Sequence, residues 1–152
     1  MNFKLKIIII NLVAFGFFIL DRILKYIFST YSGEYFVFGD WLKLKYATNT
    51  GIAFGIPINF VILSVFYFLI FLILMCWLIK SYQAKILHNV FVLSLIIVGA
   101  FSNLLDRIYL GHVVDYIDLK FYTIFNLADA MIVIGVIIFM LFILAEKNKS
   151  SG

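Results

Sequence analysis

The sequence predicts an all-α membrane protein with a small β element, built on four transmembrane helices. Three observations carry this reading. Of the 152 residues, 65% are hydrophobic and only 13% charged, whereas a soluble domain carries about 25% charged residues. The apolar residues gather in four long runs, close to the roughly 20 residues that a bilayer core requires. Between the first two runs lies a stretch with the two-residue alternation of a strand covered on one face.

Lys4 and Lys6 lead the first run, read as a span over about 7–28. It resembles the start of a signal peptide, but no small-residue cleavage site follows and further spans come later, so it is read as a retained helix. In residues 29–57, Phe36-Val37-Phe38 and Trp41 to Tyr46 read as short strands about a Gly39-Asp40 turn. Trp41 and Tyr46 suit a membrane interface. A glycine-rich bend, Asn49 to Gly55, leads to Pro57. The second span is expected over 58–79, a short basic loop over Lys80 to Lys85, and the third span over 87–105. Ile108 to Phe125 is expected as a loop with a small strand or hairpin, and the fourth span covers 127–145. With no internal repeat, residues 1–152 are read as one integral membrane domain.

The net charge of +4 comes from lysines placed singly or in pairs at the ends of apolar runs. No basic stripe exists, which excludes a nucleic-acid partner. Cys76 stands alone in an apolar run, so no disulfide forms within the chain, and an apolar setting makes a poor nucleophile of it. Four spans put both termini on one side. The Lys/Arg count is tied, six on each side, so the positive-inside rule alone leaves orientation open; the lysines leading the first run favour termini inside.

This topology gathers the polar residues at one end. Asp21 and Lys25 close the first span, and Asn49 and Gly51 precede the second. Asn103, Asp106 and Arg107 close the third, Asp115 lies in the following loop, and Asn126 and Asp129 open the fourth. Asp21 and Lys25 are i,i+4 with the acid first, the better order for a pair. Gly99 lies one turn from Asn103 and permits close helix approach. An acid at the membrane rim calls for a partner and a function. Asp115 and Asp129 are read as each other's partner: two carboxyls held close share a proton and supply acid and base together. Each residue also has a plain structural reading. Asp21 with Lys25 would be an interfacial ion pair, Asp106-Arg107 a helix-end anchor, Asn126 with Asp129 a relative of the capping box, and Asp115 and Asp118 solvated loop acids. His112 reads as a turn or interface residue. What the plain readings do not predict is that every such residue falls at one depth on one side.

Five motifs, in order, resemble the bacterial lipoprotein signal peptidases, the type II signal peptidases. Asp21-Arg22-Ile23-Leu24-Lys25 resembles D-x-x-S/T-K. Asn49 to Phe54 resembles N-x-G-A-A-F, and Gly99 to Arg107 resembles G-A-x-G-N-x-x-D-R. Val113 to Tyr116 resembles V-V-D-F, and Phe125 to Asp129, which includes Ala128, resembles F-N-x-A-D. The resemblance implies an aspartic endopeptidase of the bacterial inner membrane, with Asp115 and Asp129 as the catalytic pair and no metal or cofactor. It implies diacylglyceryl-modified prolipoproteins as substrates, cut on the amino side of the lipidated cysteine, membrane lipid as surroundings, globomycin-type inhibitors, and action as a monomer. It further implies cytoplasmic termini, a site near the periplasmic face, and a periplasmic β-cradle with a short interfacial helix within residues 29–57. The sequence departs from the family pattern at Leu24, Ile52, Val98 and Ser102, and in a shorter loop between Asp115 and Asp129.

Three rivals remain at this level. A Ser/Lys peptidase would use Ser102 with Lys25. A metal enzyme would use Asp106, Asp115, Asp118 and Asp129 as oxygen ligands. A small transporter would hold its acid near the bilayer midplane.

Overall fold

The computed structural model describes residues 2–30, 33–51 and 60–150. Four long helices dominate the described residues. α1 spans Phe3–Thr30, α2 Phe60–Gln83, α3 Leu87–Leu110 and α4 Leu127–Ser150. Each is long and apolar enough to cross a membrane. In hydrocarbon every backbone polar group must be paired internally, which a helix does within its own segment. The chain is a multi-pass membrane protein.

The helices run further than the apolar runs suggest. α3 passes through Asp106 and Arg107 and stops at Gly111, whose φ of 77° is left-handed and whose N–H donates to the Arg107 carbonyl. The charges at 106 and 107 do not end it because both pair inside the protein. α2 likewise absorbs most of the expected Lys80 to Lys85 loop. Lys80 lies in its last turn, where a cation complements the helix dipole, and the turn proper is confined to Ala84 to Ile86.

α3 is the central helix. Half of its apolar stretch is buried in protein, against 11–17% for the other three. It packs against α1, α2 and α4. Glycines set the α3–α4 approach. A Cβ on Gly99 would lie 2.6 Å from the Ala128 carbonyl oxygen, and one on Gly135 would lie 2.6 Å from Ile96 Cγ1. The Gly99 contact is the close approach expected there; Gly135 is a second one that its all-apolar neighbourhood hides.

Among the described residues, the small β element is a three-stranded antiparallel sheet in the order β1 (Glu34–Phe38), β2 (Leu42–Asn49), β3 (Val113–Leu119). The first two strands form the expected hairpin about Gly39, whose φ is +51°. The third comes from the loop after α3. Asn49 pairs with Val113 and Ala47 with Asp115, so the sheet joins the two polar segments. Residues 52–57, with the Ile52 to Gly55 bend, and 31–32 lie outside the described residues. So does whatever part of the expected interfacial helix falls on them.

Candidate active site

The site is assembled at the end of the bundle where α1, α3 and α4 meet the sheet. α1 presents Asp21, Lys25 and Phe28 along one buried stripe. Lys25 Nζ, fully buried, has three donors and meets three acceptors: Asp106 Oδ2 at 2.8 Å, Asn103 Oδ1 at 2.8 Å and Asp21 Oδ2 at 3.2 Å. The Asp21–Lys25 pair is therefore no surface bridge. Asp106 also accepts from Arg22 and from the Val114 N–H, which ties α1, α3 and β3 together.

α4 begins in a fully capped first turn. Asn126 Oδ1 accepts from the Asp129 N–H at 2.8 Å, and Asp129 Oδ2 accepts from the Asn126 N–H at 3.3 Å. This is the capping-box geometry that the plain reading expected. Two more orphan N–H groups find partners from other elements. Leu127 donates to the Tyr116 hydroxyl at 3.0 Å and Ala128 to Asp21 Oδ1 at 3.1 Å. Asp129 thus sits on a helix start held by α1, β3 and its own cap.

The Asn126 amide nitrogen does a second job. It donates to Asp115 Oδ1 at 2.7 Å and to Asn103 Oδ1 at 3.1 Å, and Asn103 Nδ2 donates to Asp129 Oδ1 at 2.7 Å. Asp115 and Asp129 are linked through two asparagine amides. Asp115 is 3% exposed, and burial, then the negative charge of Asp129, pushes its carboxyl up to about 6. The amides of Asn126 and Asn49 and the charge of Lys25 pull the other way without cancelling this. Asp129 has access to a cavity of about 620 Å³, lined by Asn49, Tyr67, Asn103, Arg107 and the apolar residues of α4 and of the loop before it.

Arg107 braces the cavity wall. Its Nη2 donates to the Gly51 carbonyl at 2.9 Å and its guanidinium stands 5.0 Å from the Tyr67 ring centroid. Its Nε is buried and has no hydrogen-bond partner among the described residues. Asn49 Oδ1 accepts from the Gly51 N–H at 3.0 Å, closing the bend. All twelve residues singled out from the sequence thus lie in or directly against one cluster; Gly99 and Ala128 supply the close helix contact beneath it.

Three further participants lie outside these twelve. Ser102 is buried and donates to Asp21 Oδ2, while Arg22 reaches both the Ser102 hydroxyl and Asp106. The Tyr116 hydroxyl donates to Asp21 at 3.4 Å. Burial and the Asp21 charge push this phenol up, so it remains a neutral donor. Spacing could have found Ser102, which lies i,i+4 from Asp106. Strand alternation sends Tyr116 to the face opposite Asp115, but its destination depends on where α1 packs.

The rivals fare poorly in this geometry. Ser102 is bonded to a carboxylate and an arginine, and Lys25 is committed to three acceptors. Among the described residues no three His, Cys, Asp or Glu side chains converge as metal ligands; Asp118 pairs with Lys45 at 2.8 Å on the sheet. The buried acids gather at the sheet end of the helices, where a transporter would hold one midway along.

Comparison with known proteins agrees with this architecture. The family model described as Signal peptidase (SPase) II matches residues 13–145. A lipoprotein signal peptidase of Caldanaerobacter subterraneus subsp. tengcongensis is 39% identical, covering 85% of this chain and 90% of its own length. One of Borrelia duttonii is 34% identical, covering 100% of this chain and 99% of its own. A bacterial membrane enzyme solved by the in meso method at 2.3 Å resolution superposes with a TM-score of 0.78 at 30% identity, over 91% of this chain and 88% of that one. On the extent of these matches, the chain belongs to the signal peptidase II family of membrane peptidases.

Proposed function

We propose that the protein is an aspartic endopeptidase that removes the signal peptide from diacylglyceryl-modified prolipoproteins, cutting on the amino side of the lipidated cysteine. The observation that carries this reading is the pair Asp115 and Asp129, bridged by Asn126 and Asn103, with Asp129 on the wall of a largely apolar cavity. A lipid-modified peptide needs both features at once: a polar site for the amide bond and an apolar groove continuous with the bilayer for its acyl chains.

The surroundings support a division of labour. Asp115 is buried and holds its proton up to about pH 6. Asp129 lies in the first turn of α4, accepts from Asn103 Nδ2 and the Asn126 N–H, and borders the cavity, which suits it to meet the attacking water. Asp129 takes a proton from a water molecule as that water attacks the scissile carbonyl, and Asp115 gives its proton to the carbonyl oxygen. The resulting diol collapses: Asp129 passes its proton to the leaving nitrogen and Asp115 recovers one from the diol. Both carboxyls return to their starting state, and no metal or cofactor enters the cycle. Arg107 lines the cavity, where it holds the wall through the Gly51 carbonyl. Asn49 and Gly51 border the substrate from the sheet side. Asp21, Lys25 and Asp106 hold the frame. In the orientation proposed here the termini are cytoplasmic, the site faces the periplasm, and the membrane is the bacterial inner membrane.

The test uses purified enzyme in detergent, a diacylglyceryl-modified prolipoprotein, and the same prolipoprotein without lipid. Cleavage of the lipidated form alone, stopped by Asp115→Asn and by globomycin, is the expected result. Equal cleavage of the unlipidated form would sink the substrate assignment, and full activity of Asp115→Asn would sink the dyad.

A further inference from the structure

The far end of the sheet carries residues placed against their own preferences. The turn from β3 toward α4 is closed by the Tyr122 N–H donating to the Leu119 carbonyl at 2.9 Å. Its third residue, Phe121, has φ of +71°, a backbone conformation that belongs to glycine or asparagine and strains a bulky side chain. The same Phe121 is 86% exposed. A second turn abuts it, since the Lys120 N–H donates to the Trp41 carbonyl at 3.0 Å. Trp41 and Phe121 meet edge to face at 5.9 Å, and Lys120 Nζ lies 5.2 Å and 5.6 Å from the two ring centroids. Phe38, in the turn that also holds Trp41, is 72% exposed. The tip is therefore ordered by hydrogen bonds and ring contacts, yet it presents its rings outward.

We infer that this tip, Phe38, Trp41, Lys120 and Phe121, is seated in the headgroup layer of the bilayer that the four helices span. The chemistry fits that occupant. Aromatic rings flanked by a lysine are what the membrane–water interface accepts, the rings reaching the acyl boundary and the ammonium staying with the phosphates. Chain length allows it. Phe121 lies six positions before Leu127 at the start of α4, a reach of at most about 20 Å, so the tip cannot stand far from the level at which the helices enter the membrane. The surface is also continuous with the lipid-facing belt. Leu119 and Tyr122 line the same groove as Ile132, Val133 and Ile134 of α4. Seated this way, the tip holds the sheet, and Asn49 and Asp115 on it, at a constant height above the acyl region.

The test places Trp41 alone as reporter. The chain has two tryptophans, and Trp77→Phe keeps an aromatic ring against Phe139. That variant is reconstituted at one copy per nanodisc with lipids brominated near the headgroup or at the chain end. Trp41 fluorescence is expected to be quenched at least twofold more by the shallow bromines than by the deep ones, and to be shielded from aqueous iodide. Phe121→Gly, which relaxes the turn, is expected to keep the melting temperature in detergent while cutting the shallow quenching by half or more. Free access to iodide with no lipid quenching would overturn the assignment, as would unchanged quenching in Phe121→Gly. Shielding that arises only when several copies share one vesicle would overturn it in favour of a second copy of the chain.

Discussion

Asp115 is held in a place that disfavours its charge, and that defines its behaviour. Folding raises its carboxyl from the ordinary range to about 6, so the folded state binds the proton more tightly than the unfolded one. Its contribution is then most favourable below the unfolded value and is lost as pH rises from about 4 to about 6, a change of up to about 3 kcal/mol at 1.36 kcal/mol per unit. Asp115→Asn is accordingly expected to abolish cleavage while leaving the protein at least as stable as the wild type at pH 7.5, measured by denaturation in mixed micelles. The same proton sets the alkaline side of the activity profile: kcat/KM is expected to fall as pH rises through the Asp115 transition, and that limb should shift when Asn126→Ala removes the amide donor. Tyr116→Phe keeps the stacking on Phe28 at 5.1 Å and loses only the hydroxyl that accepts from Leu127 and donates to Asp21. Its cost should be about 1 kcal/mol of stability, read from the same denaturation curves.

At the scale of elements, α3 and α4 touch through glycine. Gly99→Ala would drive a methyl to 2.6 Å from the Ala128 carbonyl, which is backbone in the first turn of α4. Something must shift, at a typical cost of about 1–3 kcal/mol, and the element that shifts carries Asp129. Gly135→Ala meets Ile96 at the same distance but lies six residues further along α4, about 9 Å by helical rise. Both substitutions are expected to lower stability, whereas only Gly99→Ala should lower kcat by about tenfold or more; equal effects on kcat would mean that the contact does not position Asp129. The sheet works on the same principle. β3 carries Asp115 and pairs with β2 at Asn49 and Ala47, so strand register decides which side chain meets Asn126.

For the whole molecule, the stabilising polar contacts collect at one end of an otherwise apolar bundle. Lys25 is the hub, joining Asp21, Asp106 and Asn103. Lys25→Met would leave two buried carboxylates short of a cation, and breaking a buried pair in this way costs about 3–5 kcal/mol. Loss of the folded state at a much lower denaturant level is expected, together with loss of activity. Arg22→Met removes a partner that is itself about one-third exposed, so its effect should be clearly smaller. In the other half of the bundle the described polar contacts include single ones, such as Tyr82 with Asn11, which joins α2 to α1, and Ser81 with the Trp77 carbonyl.

Four spans, a hairpin about Gly39, and a polar cluster at one end were legible in the residues, because a bilayer allows few alternatives for long apolar runs and makes every polar residue within them conspicuous. The capping relation of Asn126 and Asp129 was legible for the same local reason: partners three residues apart meet in any helix. Where α3 ends was misjudged from its charges, since their pairing is not a local property. The third strand, Tyr116 and Ser102 on Asp21, the asparagine bridge between the two acids, and Gly135 against Ile96 all join segments far apart in the chain. Their contacts exist only once α1, α3, α4 and the sheet are packed, and packing is a geometric sum over the whole chain that no single stretch of residues contains.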